Sequence, residues 1–348
     1  MTEPTPDLDL SVVFATRDRA DQLRDTLQRY CEWDTRGIAW ELIVVDNASV
    51  DDTAQVLEAF ATKLPLLSLY VAEAGQNRAR NQALEHLHGR FVLFTDDDVL
   101  ADPDCAQAYL AAIRRWPDDS IFGARIEPRF PPGTPEWMQS PDFEFSTTAF
   151  ARYEPASAEG HVRRHPYGPS FLVRREAIGD LRFPAHLGPQ QGSYAMGGEG
   201  DFLRRLAARG HRYVYVPDAR VEHVVRPEQV EPDWLLRRAN KKGRGQVYLP
   251  SDKKPRRLHV FGVSVKLWLG VARAWMRFRL IAPLSTAPRQ RLEQGIVYQL
   301  RRGQIQELLR LRQTAALNES APAARDAADD EDRHTESAIP TTSQSKKR

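Results

Sequence analysis

Residues 75–99, GQNRARNQALEHLHGRFVLFTDDDV, combine a helix-like stretch, a short apolar run and three consecutive aspartates. The pattern predicts a helix over 77–87 and a buried strand over 90–94. The same alternation precedes this stretch and predicts strands at 10–15, 41–45 and 66–71 and helices at 18–30 and 51–60. Strands that alternate with helices indicate βαβ units, so we predict an α/β fold with a mostly parallel central sheet flanked by helices.

The three aspartates Asp96, Asp97 and Asp98 directly follow a predicted strand, where ligands of open α/β sheets bind. Adjacent carboxylates at the end of a buried strand repel one another and lose solvation, and a divalent cation relieves both costs. Mg²⁺ or Mn²⁺ takes one or two carboxylates and completes its shell with substrate phosphates and water. Because Asp96 and Asp98 point the same way on an extended chain, their spacing favours a metal site over an acidic turn.

Two more polar features stand next to predicted elements. Asp46 ends a predicted strand in VVDNASVDDT, where it either accepts hydrogen bonds from a base or ribose or caps the next turn. Arg78 and Arg80 flank the start of a predicted helix, whose backbone N–H groups favour an anion such as a diphosphate. A solvated helix N-terminus is the alternative for this pair.

Further along the chain, Gly197-Gly198-Glu199-Gly200-Asp201 opens another helical pattern at 200–210. Glycines permit a close approach to a ligand and place Glu199 and Asp201 at a helix N-terminus, although a capping role without chemistry would look similar. His223 follows a predicted strand at 212–216 and is either a structural side chain or a metal ligand.

The composition excludes several classes of protein. Among 348 residues, 41% are hydrophobic, which excludes a disordered chain, and two cysteines are too few for a disulfide framework. The N-terminal stretch MTEPTPDLDL lacks an apolar leader, so we expect a cytoplasmic protein. The most apolar run, 261–280, contains four basic residues and is a poor transmembrane candidate.

The pattern changes along the chain predict three parts. Residues 1–236 form the main domain, with halves at about 9–127 and 128–236. Residues 237–313 form a basic helical extension, and residues 314–348, rich in Ala, Asp, Glu, Ser and Thr, form a disordered tail.

Taken in order, the motifs resemble those of the family 2 glycosyltransferases, which have a GT-A fold and act on nucleotide-sugar donors. The resemblance covers about residues 9–230. It is carried by SVVFATRDR (11–19), ELIVVDNASVDDT (41–53), the stretch 75–99, FGARIEP (122–128), YGPSFLVRREAI (167–178) and GGEGDFLRRLAARGHRYVYVPDARVEH (197–223).

The resemblance implies a divalent metal, Mg²⁺ or Mn²⁺, and an inverting single displacement. It also implies a nucleotide-binding half at 9–127, an acceptor half at 128–236 and an acceptor that is a glycan, a lipid-linked compound or another hydroxyl compound. By position, the implied donor-binding residues are Ala15, Thr16, Arg17, Asp46, Arg78 or Arg80, Asp96 and Asp97; the implied metal ligands are Asp98 and His223.

The sequence departs from the family pattern at the general base. The usual Glu-Asp-x-Asp is Gly198-Glu199-Gly200-Asp201 here, so Glu199 occupies the base position, Asp201 is the second carboxylate, and the choice between them stays open. The common Gly-x-Asn is replaced by Gly168-Pro169-Ser170. A nucleotidyltransferase acting on sugar phosphates and a non-catalytic nucleotide-sugar-binding protein remain as alternatives.

The net charge of +2 conceals a strong asymmetry. Residues 1–236 hold 25 Lys/Arg and 37 Asp/Glu, whereas residues 237–313 hold 19 and 3. Lys266, Arg273 and Arg277 recur on one side of a predicted helix that also carries Trp268 and Trp275. Such a helix suits an anionic membrane surface, here the inner face of the membrane, or packs on the acidic domain. Nucleic-acid binding is not expected, because no recognised motif accompanies the charge.

Overall fold

The computed structural model describes residues 8–190, 193–249 and 258–335. Thirteen strands are described: β1 Leu8–Thr16, β2 Trp40–Asp46, β3 Leu66–Tyr70, β4 Gly89–Thr95, β5 Val99–Ala101, β6 Ile121–Arg129, β7 Gly160–Val162, β8 Ser170–Arg174, β9 Gly188–Gln190, β10 Ser193–Ala195, β11 Tyr213–Val224, β12 His259–Val260 and β13 Val263–Ser264. Eleven α-helices are described: α1 Ala20–Tyr30, α2 Thr53–Phe60, α3 Gln76–Ala83, α4 Cys105–Arg115, α5 Glu136–Gln139, α6 Glu144–Ala149, α7 Arg175–Ile178, α8 Gly198–Ala208, α9 Pro232–Gly245, α10 Val265–Met276 and α11 Pro288–Thr335.

Nine strands form one central sheet in the order β3-β2-β1-β4-β8-β6-β11-β5, with β7 paired to β11. The predicted parallel arrangement is present in β3-β2-β1-β4, and β6 is also parallel to β11. The sheet is nevertheless mixed, because β8 runs antiparallel to both β4 and β6. As a result, β8 begins at the edge where β1, β4, β6 and β11 end.

The hydrophobic core consists of two layers, one on each face of the sheet. Alternate residues of β1 point to opposite faces: Val12 and Phe14 join one layer, and Val13 joins the other. Helices α1, α2 and α4 cover the first face, and α3, α7 and α8 cover the second. This α/β arrangement leaves the carboxyl ends of the strands free to carry the site.

The predicted strands and helices before residue 100 are all present, with ends shifted by a few residues. The predicted helix at 77–87, for example, is α3 followed by a 3-10 turn at Leu84–His86. The irregular stretch after residue 128 contains the short helices α5 and α6 and the strand β7. Its Pro and Gly residues prevent longer elements.

The basic extension packs partly on the main domain. Leu235 and Ala239 of α9 and Leu292 and Ile296 of α11 share a buried cluster with side chains of α5 and α6. Helices α9 and α11 approach closely because Gly243 has no side chain: a Cβ there would lie 2.0 Å from the Leu300 carbonyl oxygen. The boundary predicted at residue 236 falls inside α9, because the charge of the sequence changes there while the helix continues.

Helix α11 extends beyond residue 313, where the sequence predicts the start of a disordered tail. The stretch after 314 is rich in Ala, which favours a helix. The last part of the predicted tail, 336–348, lies outside the described residues. In the part of the chain that the structure describes, none of the helices combines the length and apolar character needed to span a bilayer.

Candidate active site

A cavity of about 520 Å³ lies at the edge of the sheet where β1, β4 and β11 end. We call it the first cavity. Eight of the residues predicted from the sequence line it: Ala15, Thr16, Arg17, Asp96, Asp97, Asp98, Glu199 and His223. They come from distant parts of the chain and meet because parallel strands place their carboxyl ends at the same edge.

Asp97 links the end of β4 to the end of β1 through hydrogen bonds. Its carboxylate accepts a hydrogen bond from Thr16 Oγ1 at 2.8 Å and from Arg19 Nη1 at 2.6 Å. Burial raises the pKa of Asp97, although the charge of Arg19 opposes this shift. Both carboxylate oxygens thus have protein partners, and Asp97 also lines the first cavity.

Asp98 and His223 form the candidate metal centre. The His223 Nδ1 donates to the Phe150 carbonyl oxygen at 3.1 Å, so the lone pair of the neutral ring is on Nε2. That nitrogen lies 3.5 Å from Asp98 Oδ1, and burial lowers the pKa of His223 although Asp98 opposes this. A carboxylate and an imidazole lone pair that face each other suit a divalent cation.

In the described residues, no group of three or more His, Cys, Asp or Glu side chains is arranged to hold a metal ion. A cation at Asp98 and His223 would therefore take its other ligands from substrate phosphates and water, as Mg²⁺ and Mn²⁺ commonly do. Arg19 and Arg226 also reach Asp98, at 3.5 and 3.4 Å, and add positive charge to this side of the cavity.

The third aspartate, Asp96, belongs to a buried triad with Arg80 and Glu199. Arg80 is only 1% exposed, and its Nη2 donates to Asp96 Oδ1 at 2.8 Å while its Nη1 donates to Glu199 Oε1 at 2.6 Å. Burial and the neighbouring carboxylates raise the pKa of Asp96 to about 7 despite Arg80. Burial also tends to raise the pKa of Glu199, but Arg80 outweighs it and the pKa is lowered. Glu199 is therefore an ionised carboxylate that can accept a proton.

Glu199 stands at the boundary between two cavities. A second cavity of about 360 Å³, lined mainly by residues of the 128–249 region, shares Asp96, Glu199, His223 and Arg238 with the first cavity. Gly168 leaves room for the carboxylate, since a Cβ at that position would lie 3.3 Å from Glu199 Oε1. A proton acceptor that faces both cavities can act on a group that reaches from one into the other.

Besides Arg80, three of the predicted site residues line neither cavity. Asp201 pairs with Arg205 at 2.8 Å, because two residues along a helix turn its side chain about 200° away from Glu199. For the same reason Arg78 points away from Arg80 and pairs with exposed Glu73.

The third, Asp46, is buried and accepts a hydrogen bond from the Ser49 backbone N–H at 2.9 Å. This contact corresponds to the turn-capping alternative. Of the two candidate bases, Glu199 therefore lines both cavities, whereas Asp201 lines neither.

Several residues of the site are not predicted from the sequence. Arg19 lies in the quoted motif SVVFATRDR, two residues after Arg17, and Arg226 follows His223 by three residues, so their closeness to predicted site residues is the signal that the sequence offers. Asn77 begins the predicted helix at 77–87. It donates to the backbone carbonyls of Pro184 and Leu187 at 2.9 and 3.0 Å and so fixes the loop before β9.

Comparison with known proteins identifies the family of this chain. The family model described as "Glycosyl transferase family 2" matches residues 11–182. The chain belongs to this family. The model covers β1 to β8 and includes the three aspartates but ends before Glu199.

Two curated relatives differ in how much of their length is matched. The poly(ribitol-phosphate) β-N-acetylglucosaminyltransferase TarS of Staphylococcus aureus is 33% identical over 90 residues, which are 25% of this chain and 16% of TarS. The glycosyltransferase AglE of Haloferax volcanii is 22% identical over 264 residues, which are 75% of this chain and 80% of AglE. The matched stretch thus spans only about a sixth of TarS.

Solved structures show the same fold. The mannosyltransferase PcManGT from Pyrobaculum calidifontis, in complex with GDP-Man and Mn²⁺, has a TM-score of 0.56 and 20% identity over 87% of this chain and 88% of that chain. Residues 1–349 of S. aureus TarS, in complex with UDP-GlcNAc, have a TM-score of 0.50 and 16% identity over 89% of this chain and 92% of that chain. The fold of this chain is therefore the GT-A fold.

Proposed function

We propose that this protein transfers a sugar from a nucleoside-diphosphate donor to an acceptor hydroxyl with inversion at the anomeric carbon. The observation that carries this proposal is the position of Glu199, an ionised carboxylate between two cavities. The first cavity, which holds the metal-type ligands Asp98 and His223, is the donor side. The second cavity, on the other side of Glu199, receives the acceptor.

The donor side suits a diphosphate. Asp98 and His223 would hold a divalent cation, which neutralises the charge that develops on the leaving diphosphate. Arg19 and Arg226 reach the same region and add fixed positive charge. The neighbours in complex with GDP-Man and Mn²⁺ and with UDP-GlcNAc support a nucleotide sugar as the donor class.

The acceptor side explains the stereochemistry that we propose. Glu199 accepts the proton of the acceptor hydroxyl as its oxygen bonds to the anomeric carbon, and the bond from that carbon to the diphosphate oxygen breaks. The nucleoside diphosphate leaves with the electron pair. Because Glu199 faces the acceptor side while the diphosphate side lies opposite, a single displacement inverts the anomeric configuration.

The test uses UDP-, GDP- and dTDP-sugars with Mn²⁺ or Mg²⁺ and a lipid and glycan extract, with products identified by mass spectrometry and their anomers by NMR. Glu199→Gln keeps the shape but cannot accept a proton, so we expect turnover to fall roughly 10²- to 10⁴-fold with nucleotide binding retained. Asp201→Asn serves as the matched control, because Asp201 lines neither cavity.

Three outcomes would contradict the proposal. Full activity of Glu199→Gln would remove this residue from the base role. Pyrophosphate release from a sugar phosphate and a nucleoside triphosphate would instead support a nucleotidyltransferase. Nucleotide binding without transfer to any acceptor would support a non-catalytic binding protein.

We also propose that the extension contacts an anionic membrane. Helix α10 and the turns that follow it leave large apolar side chains exposed: Leu269, Trp275, Met276, Leu280, Ile281 and Leu284. The basic side chains Lys266, Arg273 and Arg277 accompany this apolar face. Apolar bulk beside positive charge favours the surface of a membrane that contains anionic lipids.

A further inference from the structure

The charges of the second cavity are unbalanced. Its lining includes three cationic side chains, Arg204, Arg238 and Lys242, and two carboxylates, Asp96 and Glu199. Both carboxylates already share the buried Arg80, which lies outside the lining. When Arg80 is counted, the cavity still carries about two positive charges that its carboxylates do not compensate.

The three cations have weak or neutral partners. Lys242 Nζ donates to Thr148 Oγ1 at 2.8 Å, and Arg238 Nη1 donates to Tyr194 OH at 3.3 Å. Within the described residues, neither of these two side chains forms an ion pair with a carboxylate. Arg204 reaches Asp201 only at 3.9 Å.

Two further observations indicate that the protein satisfies these cations incompletely. The Nε atoms of Arg204 and Arg238 are buried and have no hydrogen-bond partner among the described residues. Burial lowers the pKa of Lys242, and the nearby arginines lower it further while Glu144 opposes them. Unpartnered buried donors are rare, because each one costs free energy unless a ligand or water accepts its hydrogen.

We infer that the acceptor carries a phosphate ester, which Arg204, Arg238 and Lys242 bind in the second cavity while the acceptor hydroxyl reaches Glu199. A phosphate monoester carries a charge of about −1.5 to −2 and offers three acceptor oxygens. Arginine side chains bind such groups through two parallel hydrogen bonds. A sugar acid such as glucuronate carries only one negative charge, so it would compensate less of the positive charge of the lining than a phosphate monoester does.

This inference rests on the proposed function and names the acceptor class of the same site. Either a small water-soluble phosphate ester or the phosphate headgroup of a lipid would supply the same chemistry. The first cavity must be filled in the test, because its cations would also attract phosphate.

In the experiment, the full chain is first saturated with UDP or GDP and Mn²⁺. It is then titrated with two phosphate esters, glycerol 3-phosphate and farnesyl phosphate in detergent micelles. Glycerol and glucuronate are titrated as controls. Binding is measured by calorimetry. We expect at least one phosphate ester to bind, and both glycerol and glucuronate to bind roughly tenfold or more weakly. Binding of glycerol 3-phosphate assigns the recognition to the ester itself, whereas binding of farnesyl phosphate alone assigns it to a lipid.

The variants Lys242→Gln and Arg204→Gln each remove one charge from the second cavity only. We expect each to weaken phosphate-ester binding roughly tenfold and to leave nucleotide binding unchanged. Arg237→Gln is the matched control, because Arg237 is exposed on α9 and lines neither cavity. Arg238 lines both cavities and is therefore not used.

Equal binding of glycerol and both phosphate esters, stronger binding of glucuronate, or unchanged binding in both cavity variants would overturn this inference. If the nucleotide binds and the phosphate esters do not, only the acceptor class fails. If neither UDP nor GDP binds with Mn²⁺, the proposed function fails, and this inference fails with it.

Discussion

Replacing Arg80 by Met tests whether this arginine positions the base or contacts the donor. The sequence predicts that Arg78 or Arg80 binds the donor. In the structure, Arg80 instead joins Asp96 to Glu199 through hydrogen bonds of 2.8 and 2.6 Å. Arg80→Met keeps the length and apolar stem of the side chain and removes both hydrogen bonds.

The expected cost in stability follows from the burial of the triad. Arg80 is 1% exposed, and the side chains of Asp96 and Glu199 are 20% and 26% exposed, so solvent screens these pairs only in part. Removing one partner of a buried ion pair typically costs about 3–5 kcal/mol. We expect a loss near the lower end of this range, because both carboxylates keep some contact with solvent. Chemical denaturation with fitted midpoints measures it.

The same variant changes the pH dependence of turnover. Arg80 is the main neighbour that opposes burial and lowers the pKa of Glu199, so its removal raises this pKa. The acidic limb of the profile of kcat against pH therefore moves to higher pH. Arg78→Met is the control, because Arg78 lies outside both cavities.

One result would refute this reasoning. If Arg80→Met has wild-type stability and an unshifted acidic limb, and only the KM for the nucleotide sugar rises, then Arg80 contacts the donor as the sequence analysis predicted. If Arg80→Met does not fold, Arg80→Lys decides. Arg80→Lys keeps the positive charge but loses the guanidinium group whose two nitrogens reach both carboxylates. A positioning role therefore predicts a smaller shift of the acidic limb in Arg80→Lys than in Arg80→Met.

Three further predictions concern the metal, the extension and the membrane. Asp98→Asn removes a charged ligand, so the Mn²⁺ concentration for half-maximal nucleotide binding should rise roughly tenfold or more, and an unchanged value would exclude Asp98 as a ligand. Glu307 is fully buried and accepts hydrogen bonds from Arg244 Nε and Tyr248 OH, both at 2.7 Å. Glu307→Gln should therefore lower the free energy of unfolding by about 3 kcal/mol, as measured by thermal or chemical denaturation. These partners, together with Arg310, outweigh burial and lower the pKa of Glu307. The stability that Glu307 contributes is therefore present above the unfolded pKa near 4.5 and is lost as the pH falls through the lower folded pKa. The variant should not show this loss of stability at low pH. Finally, Trp275→Glu with Leu280→Glu should abolish flotation with vesicles that contain anionic lipid, and unaltered flotation would exclude this face as the contact.

The sequence predicted the first half of the fold well because its information is local. Strands β1, β2 and β4 contain continuous apolar runs, and such runs are typical of strands buried on both faces of a parallel sheet. Polar residues directly after these strands therefore had to meet at one edge. The reversal of β8 was not predicted, because strand direction depends on the path of the irregular stretch after residue 128 and not on a periodic pattern.

The site was predicted in part for the same reason. Thr16, Asp98 and Glu199 each stand next to an element that the sequence showed, and they line one cavity. The sequence does not indicate which side of a helix faces the site, so it does not distinguish side chains at neighbouring positions of the same helix. Asp201 and Arg78 each lie two residues from a residue of the site, and on a helix that spacing turns them to the opposite side.

The sequence by itself determined the family resemblance, the order of strands and helices in the first half, and the carboxylates at the strand ends. Only the tertiary structure decided which charges pair. Arg80 and Glu199 are 119 residues apart in the chain and 2.6 Å apart in space. No local pattern encodes such a contact, because it depends on how α3 and α8 pack on the same face of the sheet. That packing selects Glu199 as the proposed base and leaves the cations of the second cavity free for an acceptor.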